Sequence, residues 1–134
     1  MINANELRIG NWFQQDASNN NAISRFFTVD EIKRYGVRST YIRQDTNQPH
    51  TSLFSLDSIH PIPLTPEILE KCGFVMHKTS QLWRKDNFYL HHYLVSDNEY
   101  CFKYSDFTSS SIQYLHQLQN LYFALCGEEL NYTP

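Results

Sequence analysis

Between Ser109 and Leu130 the chain reads SSSIQYLHQLQNLYFALCGEEL, and apolar residues recur there at helical spacing. Leu115, Leu118, Leu121 or Tyr122, and Leu125 stand three or four apart, which stacks them on one face of a helix. Ser109, Ser110 and Ser111 offer hydroxyls to cap its first N–H groups, and Gly127 offers the left-handed residue that ends it. The apolar stripe needs a cover, and the strands before it are the candidates.

Those strands follow a period of two. Leu7 and Ile9 alternate with Arg8 before Gly10-Asn11 turns the chain into Trp12-Phe13, so Glu6 to Phe13 reads as a strand kinked at the glycine. Gln14 to Ser24 is polar and rich in asparagine, an exposed loop. Phe26 to Val37 and Thr40 to Arg43 are strand-like, with a bend at Tyr35-Gly36. Asp45 to His50 is a polar loop before another run, Ser52 to Ile59. Short strands with small turns predict an SH3-like β-barrel or half-barrel over residues 1–62. Pro61 and Pro63 make an extended connector, because proline lacks the ladder donor of a central strand. Thr65-Pro66 opens a short helix that buries Ile68, Leu69 and Cys72 and stops at Gly73. From Phe74 the pattern is an antiparallel meander: Phe74–His77, Gln81–Lys85, Phe88–Val95 and Tyr100–Tyr104. Its turns fall at Lys78–Ser80, Asp86-Asn87 and Ser96–Asn98. Phe88, Leu90, His92 and Leu94 share one face of the third strand, and Tyr89, His91, Tyr93 and Val95 the other. The class is therefore α+β. A barrel over residues 1–62 is followed by a helix, meander and amphipathic helix over 63–134, with the second part packed on the first because neither is large enough alone.

Composition adds two points. Aromatic residues reach 15% of the 134 residues (nine Tyr, nine Phe, two Trp), so rings crowd the core or stand on a binding surface. The formal charge is −3, from 11 basic and 14 acidic residues, the wrong sign overall for phosphate backbones. Residues 1–62 hold six of each sign, so the deficit lies in residues 63–134, and the first half is the better place for anions. The N-terminus carries no basic-then-apolar signal and no run is long enough to span a membrane, which predicts a cytoplasmic protein.

Chemical motifs are sparse. Cys72, Cys101 and Cys126 form no CxxC pair, and two of them sit at helix C-termini, where a thiol is not activated. His91 and His92 are adjacent on a strand and point to opposite faces, so they do not share a metal. The carboxylate pairs Asp30-Glu31 and Glu128-Glu129 look like solvated turn or tail residues, and four glycines leave little room for a phosphate cradle. The expectation is a non-enzyme without cofactor or metal. One basic and aromatic cluster stands out: Arg25, Lys33, Arg34, Arg38 and Arg43, interleaved with Tyr35 and Tyr41. Arginine beside exposed tyrosine suits single-stranded nucleic acid, although Asp30, Glu31 and Asp45 in the same stretch reduce its charge. The other reading is an ordinary solvated strand surface. On the predicted C-terminal helix, His116, Gln117, Asn120 and Phe123 lie opposite the leucines, and Phe123 there either packs on the barrel half or is a candidate interface anchor.

The segments Ala4–Trp12 (ANELRIGNW), Pro61–Thr65 (PIPLT), Cys72–Phe74 (CGF), His116–Leu125 (HQLQNLYFAL) and Gly127–Leu130 (GEEL), taken in this order, resemble a family of small uncharacterised phage and prophage proteins of Bacteroidota. The resemblance spans nearly the whole chain and brings no activity with it. It implies a phage accessory protein in a bacterial cytoplasm that binds a host protein or ribonucleoprotein. Its sharpest form is a counter-defence inhibitor, such as an anti-CRISPR protein. A small-barrel RNA- or ssDNA-binding protein and a structural phage component are the alternatives.

Overall fold

The computed structural model describes residues 2–15, 25–43, 45–79, 82–92, 100–104 and 107–134. The chain divides into two units, Met1–Ile62 and Pro63–Pro134. Both contribute to a mixed α+β architecture of mostly antiparallel strands. The Asp16–Ser24 part of the loop expected from Gln14 to Ser24 and the turn expected at Ser96–Asn98 lie outside the described residues.

In the first unit, Asn3 caps a short 3-10 helix, Ala4–Glu6, its side chain accepting from Asn5 N–H. Glu6 to Ile9 is therefore not a strand. Arg8 to Asn11 instead forms a tight turn: Asn11 N–H donates to Arg8 C=O, and the Asn11 side-chain oxygen accepts from Arg8 N–H at 2.7 Å. Gly10 stands at φ +93°, which explains the glycine. The strands are β1 (Trp12–Gln15), β2 (Phe26–Thr28), β3 (Glu31–Lys33), β4 (Gly36–Ile42), β5 (Pro49–Ser55) and β6 (Ile59–His60). Gln14 and Gln15 belong to β1, and His50 to β5, rather than to loops.

These strands form two three-stranded sheets, ordered β2-β1-β6 and β3-β4-β5. Among the described residues they do not close into the expected barrel. The chain changes sheet at Val29-Asp30: Val29 N–H donates to Asn11 C=O in the first sheet, and Asp30 N–H to Arg38 C=O in the second. It returns through a 3-10 turn, Leu56–Ser58. Strands of two to four residues in the first sheet leave the ladder too short to close. The core lies between the sheets, where Phe13, Phe27 and Phe54 pack ring against ring at 4.8 to 5.7 Å. Ile2, Val29, Val37 and Ile59 complete it.

In the second unit the short helix α1 (Pro66–Lys71) forms as its sequence demands. Thr65 Oγ1 accepts from Ile68 N–H, Pro66 opens the first turn, Ile68 and Leu69 are buried, and Gly73 follows at φ +91°. A five-stranded antiparallel sheet then runs in order β11-β10-β9-β8-β7. Its strands are β7 (Val75–His77), β8 (Leu82–Lys85), β9 (Phe88–His92), β10 (Tyr100–Tyr104) and β11 (Phe107–Ile112). The β8–β9 hairpin turns at Asp86-Asn87, with Asp86 at φ +52°. Phe88 and Leu90 are buried and His91 on the alternate face is exposed.

The C-terminal helix is shorter than its hydrophobic pattern suggests. It is α2 (Leu115–Cys126), and Ser109, Ser110 and Ser111 belong to β11. Serine serves as cap or strand residue equally well. The pairing of Tyr100 with Ile112 and Cys101 with Ser111 decides it, because a fifth strand satisfies the outer backbone of β10. In place of a serine, Gln117 Oε1 accepts from Gln113 and Tyr114 N–H at the helix start. Gly127, at φ +74°, closes the other end by donating to Phe123 C=O. Leu115, Leu118, Gln119 and Tyr122 are buried, and the Tyr122 ring lies 4.7 Å from Phe88 of β9. His116, expected on the polar face, is buried and stacks on Tyr114.

Candidate functional site

The basic and aromatic cluster falls mainly on the sheet β3-β4-β5, and alternation along β4 sorts it by face. Val37, Ser39 and Tyr41 point inward, while Arg38, Thr40 and Ile42 point outward. Tyr41 packs edge-on against Phe27 at 5.0 Å and its hydroxyl bonds Ser52 Oγ, so it belongs to the core side. Arg34 and Tyr35 form the two-residue tip between β3 and β4, since Lys33 pairs with Gly36. Arg43 lies beyond the end of β4 far from Arg34, and β4 itself runs about 20 Å at ~3.3 Å per strand residue. Arg25 precedes β2 in the other sheet. The cluster is thus spread over one strand's length and two sheets.

Its charge is also largely compensated. Glu31 pairs with both Lys33 and Arg38, at 3.2 and 3.1 Å. Arg43 clamps Asp45 through Nε and Nη2 at 3.0 and 2.7 Å. That side-chain hydrogen bond holds the Asp45 carboxyl below its ordinary range. At the tip, the Arg34 guanidinium lies over the Tyr35 ring at 5.3 Å, and Tyr35 is 74% exposed. No acidic partner of Arg34 occurs among the described residues.

Sequence reasoning missed the apolar side of this sheet. Arg38 pairs with Leu53 and Ile42 with Pro49 across the narrow register of β4 and β5, placing them together on the outer face. Leu53 is 62% and Ile42 57% exposed. Period-two reading of Ser52–Ile59 sets Leu53 on the face opposite Phe54, which is the signal that could have found it.

In the second unit Phe123 is partly exposed on α2. Val75 and Met76 of the edge strand β7 are exposed and, with His77, Arg84, Lys85, Asp86 and Gly73, line an open groove of about 500 Å³. Cys72, next in sequence to Gly73, is buried, and burial pushes its thiol up to about 12 against a partly opposing pull from Lys85. Lys85 Nζ donates to Cys72 C=O at 2.8 Å, so this lysine is engaged in closing α1. A thiol held protonated is a poor nucleophile and metal ligand. Among the described residues no cluster of three or more His, Cys, Asp or Glu is placed to hold a metal, and no helix is long and apolar enough to cross a membrane. Comparison with protein-family models, with curated proteins and with solved structures finds no match.

Proposed function

We propose that the protein is a non-enzymatic binding module whose recognition surface is the outer face of β3-β4-β5 and the Arg34-Tyr35 tip. The observation that carries this reading is the pairing of an exposed, arginine-stacked tyrosine with bare Leu53 and Ile42 on one sheet. Arginine and tyrosine are enriched in protein interfaces, and a partner that covers the two aliphatic side chains gains their burial. A protein partner fits better than nucleic acid, because Glu31 and Asp45 already take up Lys33, Arg38 and Arg43. Counterion release from phosphates needs uncompensated cations. In the family context that the sequence suggests, the partner is a host protein or ribonucleoprotein in the bacterial cytoplasm, and counter-defence inhibition is the specific form. On this reading the two small sheets act as an open relative of the SH3-like barrel, presenting one sheet face outward.

Affinity capture from a Bacteroidota host lysate, with and without nuclease, tests it. A defined host protein retained after nuclease and lost with Tyr35→Ala or Ile42→Lys supports the reading. Recovery that vanishes with nuclease and with Arg34→Glu transfers the function to RNA or ssDNA.

A further inference from the structure

We infer that β5 is a self-pairing edge, at which a second copy of this chain docks antiparallel to form one six-stranded sheet. Arg43 N–H donates to Gln48 C=O at one end of the β4–β5 ladder and Leu56 N–H to Tyr35 C=O at the other. Hydrogen-bonded and narrow pairs alternate between those ends. Tyr41 with His50, Ser39 with Ser52 and Val37 with Phe54 are therefore the bonded pairs of the printed register. Thr51, Leu53 and Ser55 must aim their N–H groups, with the neighbouring carbonyls of Pro49, Thr51 and Leu53, away from β4. Among the described residues no strand pairs with that side.

Edge strands are ordinarily blunted by charge, bulges or brevity. The opposite edge of the same sheet is: β3 has three residues, two of them charged, and beyond it the Asp30 carboxylate takes the Thr40 N–H. In contrast, β5 is seven residues long, PHTSLFS, without an Asp, Glu, Lys or Arg, and its register with β4 is unbroken. Thr51 and Leu53 are exposed.

The donor and acceptor pattern selects a second copy over an arbitrary strand. With the two-fold axis at Ser52, Thr51 of each copy faces Leu53 of the other, and each such pair exchanges both of its backbone bonds. Pro49 then faces Ser55. Proline has no N–H to give, and the Ser55 carbonyl it would have served already accepts from Ser58 Oγ at 2.9 Å. The position lacking a donor thus meets the position needing none. In this register the Leu53 side chains are diagonal neighbours across the axis, within mutual reach on the outer face. His50 comes opposite the second copy's Phe54 on the inner face. Residues 1–62 carry six basic and six acidic residues, so the joined units are not driven apart by net charge.

Sedimentation equilibrium on the full chain from about 10 μM to 1 mM, with amide hydrogen exchange at Thr51 and Leu53, tests the inference. The expected result is a dimer whose Thr51 and Leu53 amides become protected as concentration rises. Thr51→Pro deletes an outward N–H that β4 does not use and should raise the dimer Kd about tenfold or more. Thr51→Val, which removes only the hydroxyl contact to Thr40, should leave the dimer intact. If Thr51→Pro loses its circular dichroism, Leu53→Lys decides, because it sets two cations together across the axis. A single-chain mass throughout, or a dimer undiminished in folded Thr51→Pro or Leu53→Lys, overturns self-pairing. So does a dimer whose two amides remain fast, or protection that arises only on adding another protein. These readouts use purified chain alone, so they stand apart from the capture experiment above.

Discussion

Residues 1–62 build their core where two three-stranded sheets meet, whereas residues 63–134 lay a helix against a five-stranded sheet. The surfaces left over differ accordingly. Among the described residues, Ile9, Ile32, Tyr35, Ile42 and Leu53 are large exposed hydrophobics of the first unit, and Val75, Met76 and Phe123 are those of the second. The C-terminal helix sets Tyr122 against Phe88 of β9 and Lys85 of β8, and the second unit keeps Leu90, Leu115 and Leu118 wholly inside. Two short sheets cover only each other's inner faces. Among the described residues, Leu53 and Ile42 stand exposed on the outer face of β3-β4-β5, with Tyr35 at its tip. The comparison teaches that the exposed apolar side chains on which the proposed surface rests follow from how the smaller unit solves its burial, not from a separate motif.

The largest expected break in that comparison is Phe13→Ala. Phe13 is fully buried and touches both Phe27 and Phe54, so its loss should destabilise the first unit by about 3–5 kcal/mol in a denaturant titration. An unchanged midpoint would place the core elsewhere. Gly36→Ala comes next. A Cβ there would stand 2.2 Å from the Phe54 carbonyl oxygen, a backbone atom that cannot swing away, so β4 and β5 must part. A loss of about 2–3 kcal/mol is expected, together with faster amide exchange along β5.

For the second unit the test is alkaline. The Cys72 thiol, ordinarily at 9.0, is raised to about 12 by burial in the folded chain. Between those values the unfolded chain gives up a proton that the folded chain keeps, so stability falls as pH rises, by about 1.4 kcal/mol per pH unit. The Tyr122 hydroxyl, also raised to about 12 mainly by burial, acts in the same direction. Cys72→Ala should flatten the slope between pH 9 and 11 without abolishing it. If wild type and variant run parallel, the thiol is not the cause.

The smallest effect on stability and the sharpest on ligand choice belongs to Glu31→Gln. Surface ion pairs contribute about 0–1 kcal/mol, so melting should barely move. Lys33 and Arg38, however, lose their carboxylate. The variant should bind single-stranded RNA more tightly than wild type, with a steeper salt dependence by fluorescence anisotropy. Equal binding would mean that Glu31 does not mask those cations.

Local chemistry was legible where one residue type has one use. Thr65-Pro66 with Gly73 marks α1, Asp86-Asn87 marks a hairpin, and Gly127 marks the end of α2, each because cap, turn and left-handed positions are set within a few residues. What the sequence alone determined about this protein is thus its α+β content and most strand positions. Tertiary structure decided the rest. Ser109–Ser111 became strand because Phe107–Ile112 pairs with Tyr100–Tyr104, from Tyr104 with Phe107 out to Tyr100 with Ile112, and a run of serines by itself does not announce that partner. His116 turned inward beside the Tyr114 ring, and the first unit split into two sheets at Val29-Asp30, where Val29 N–H reaches back to Asn11 C=O while Asp30 N–H bonds Arg38 C=O. The candidate surface divides the same way. Sequence named Arg34 and Tyr35, whose exposure comes from a local turn. Only pairing across β3, β4 and β5 showed that Glu31 and Asp45 quench their neighbours, that Leu53 lies bare opposite Arg38, and that Ile42 lies bare at the far end of the same face.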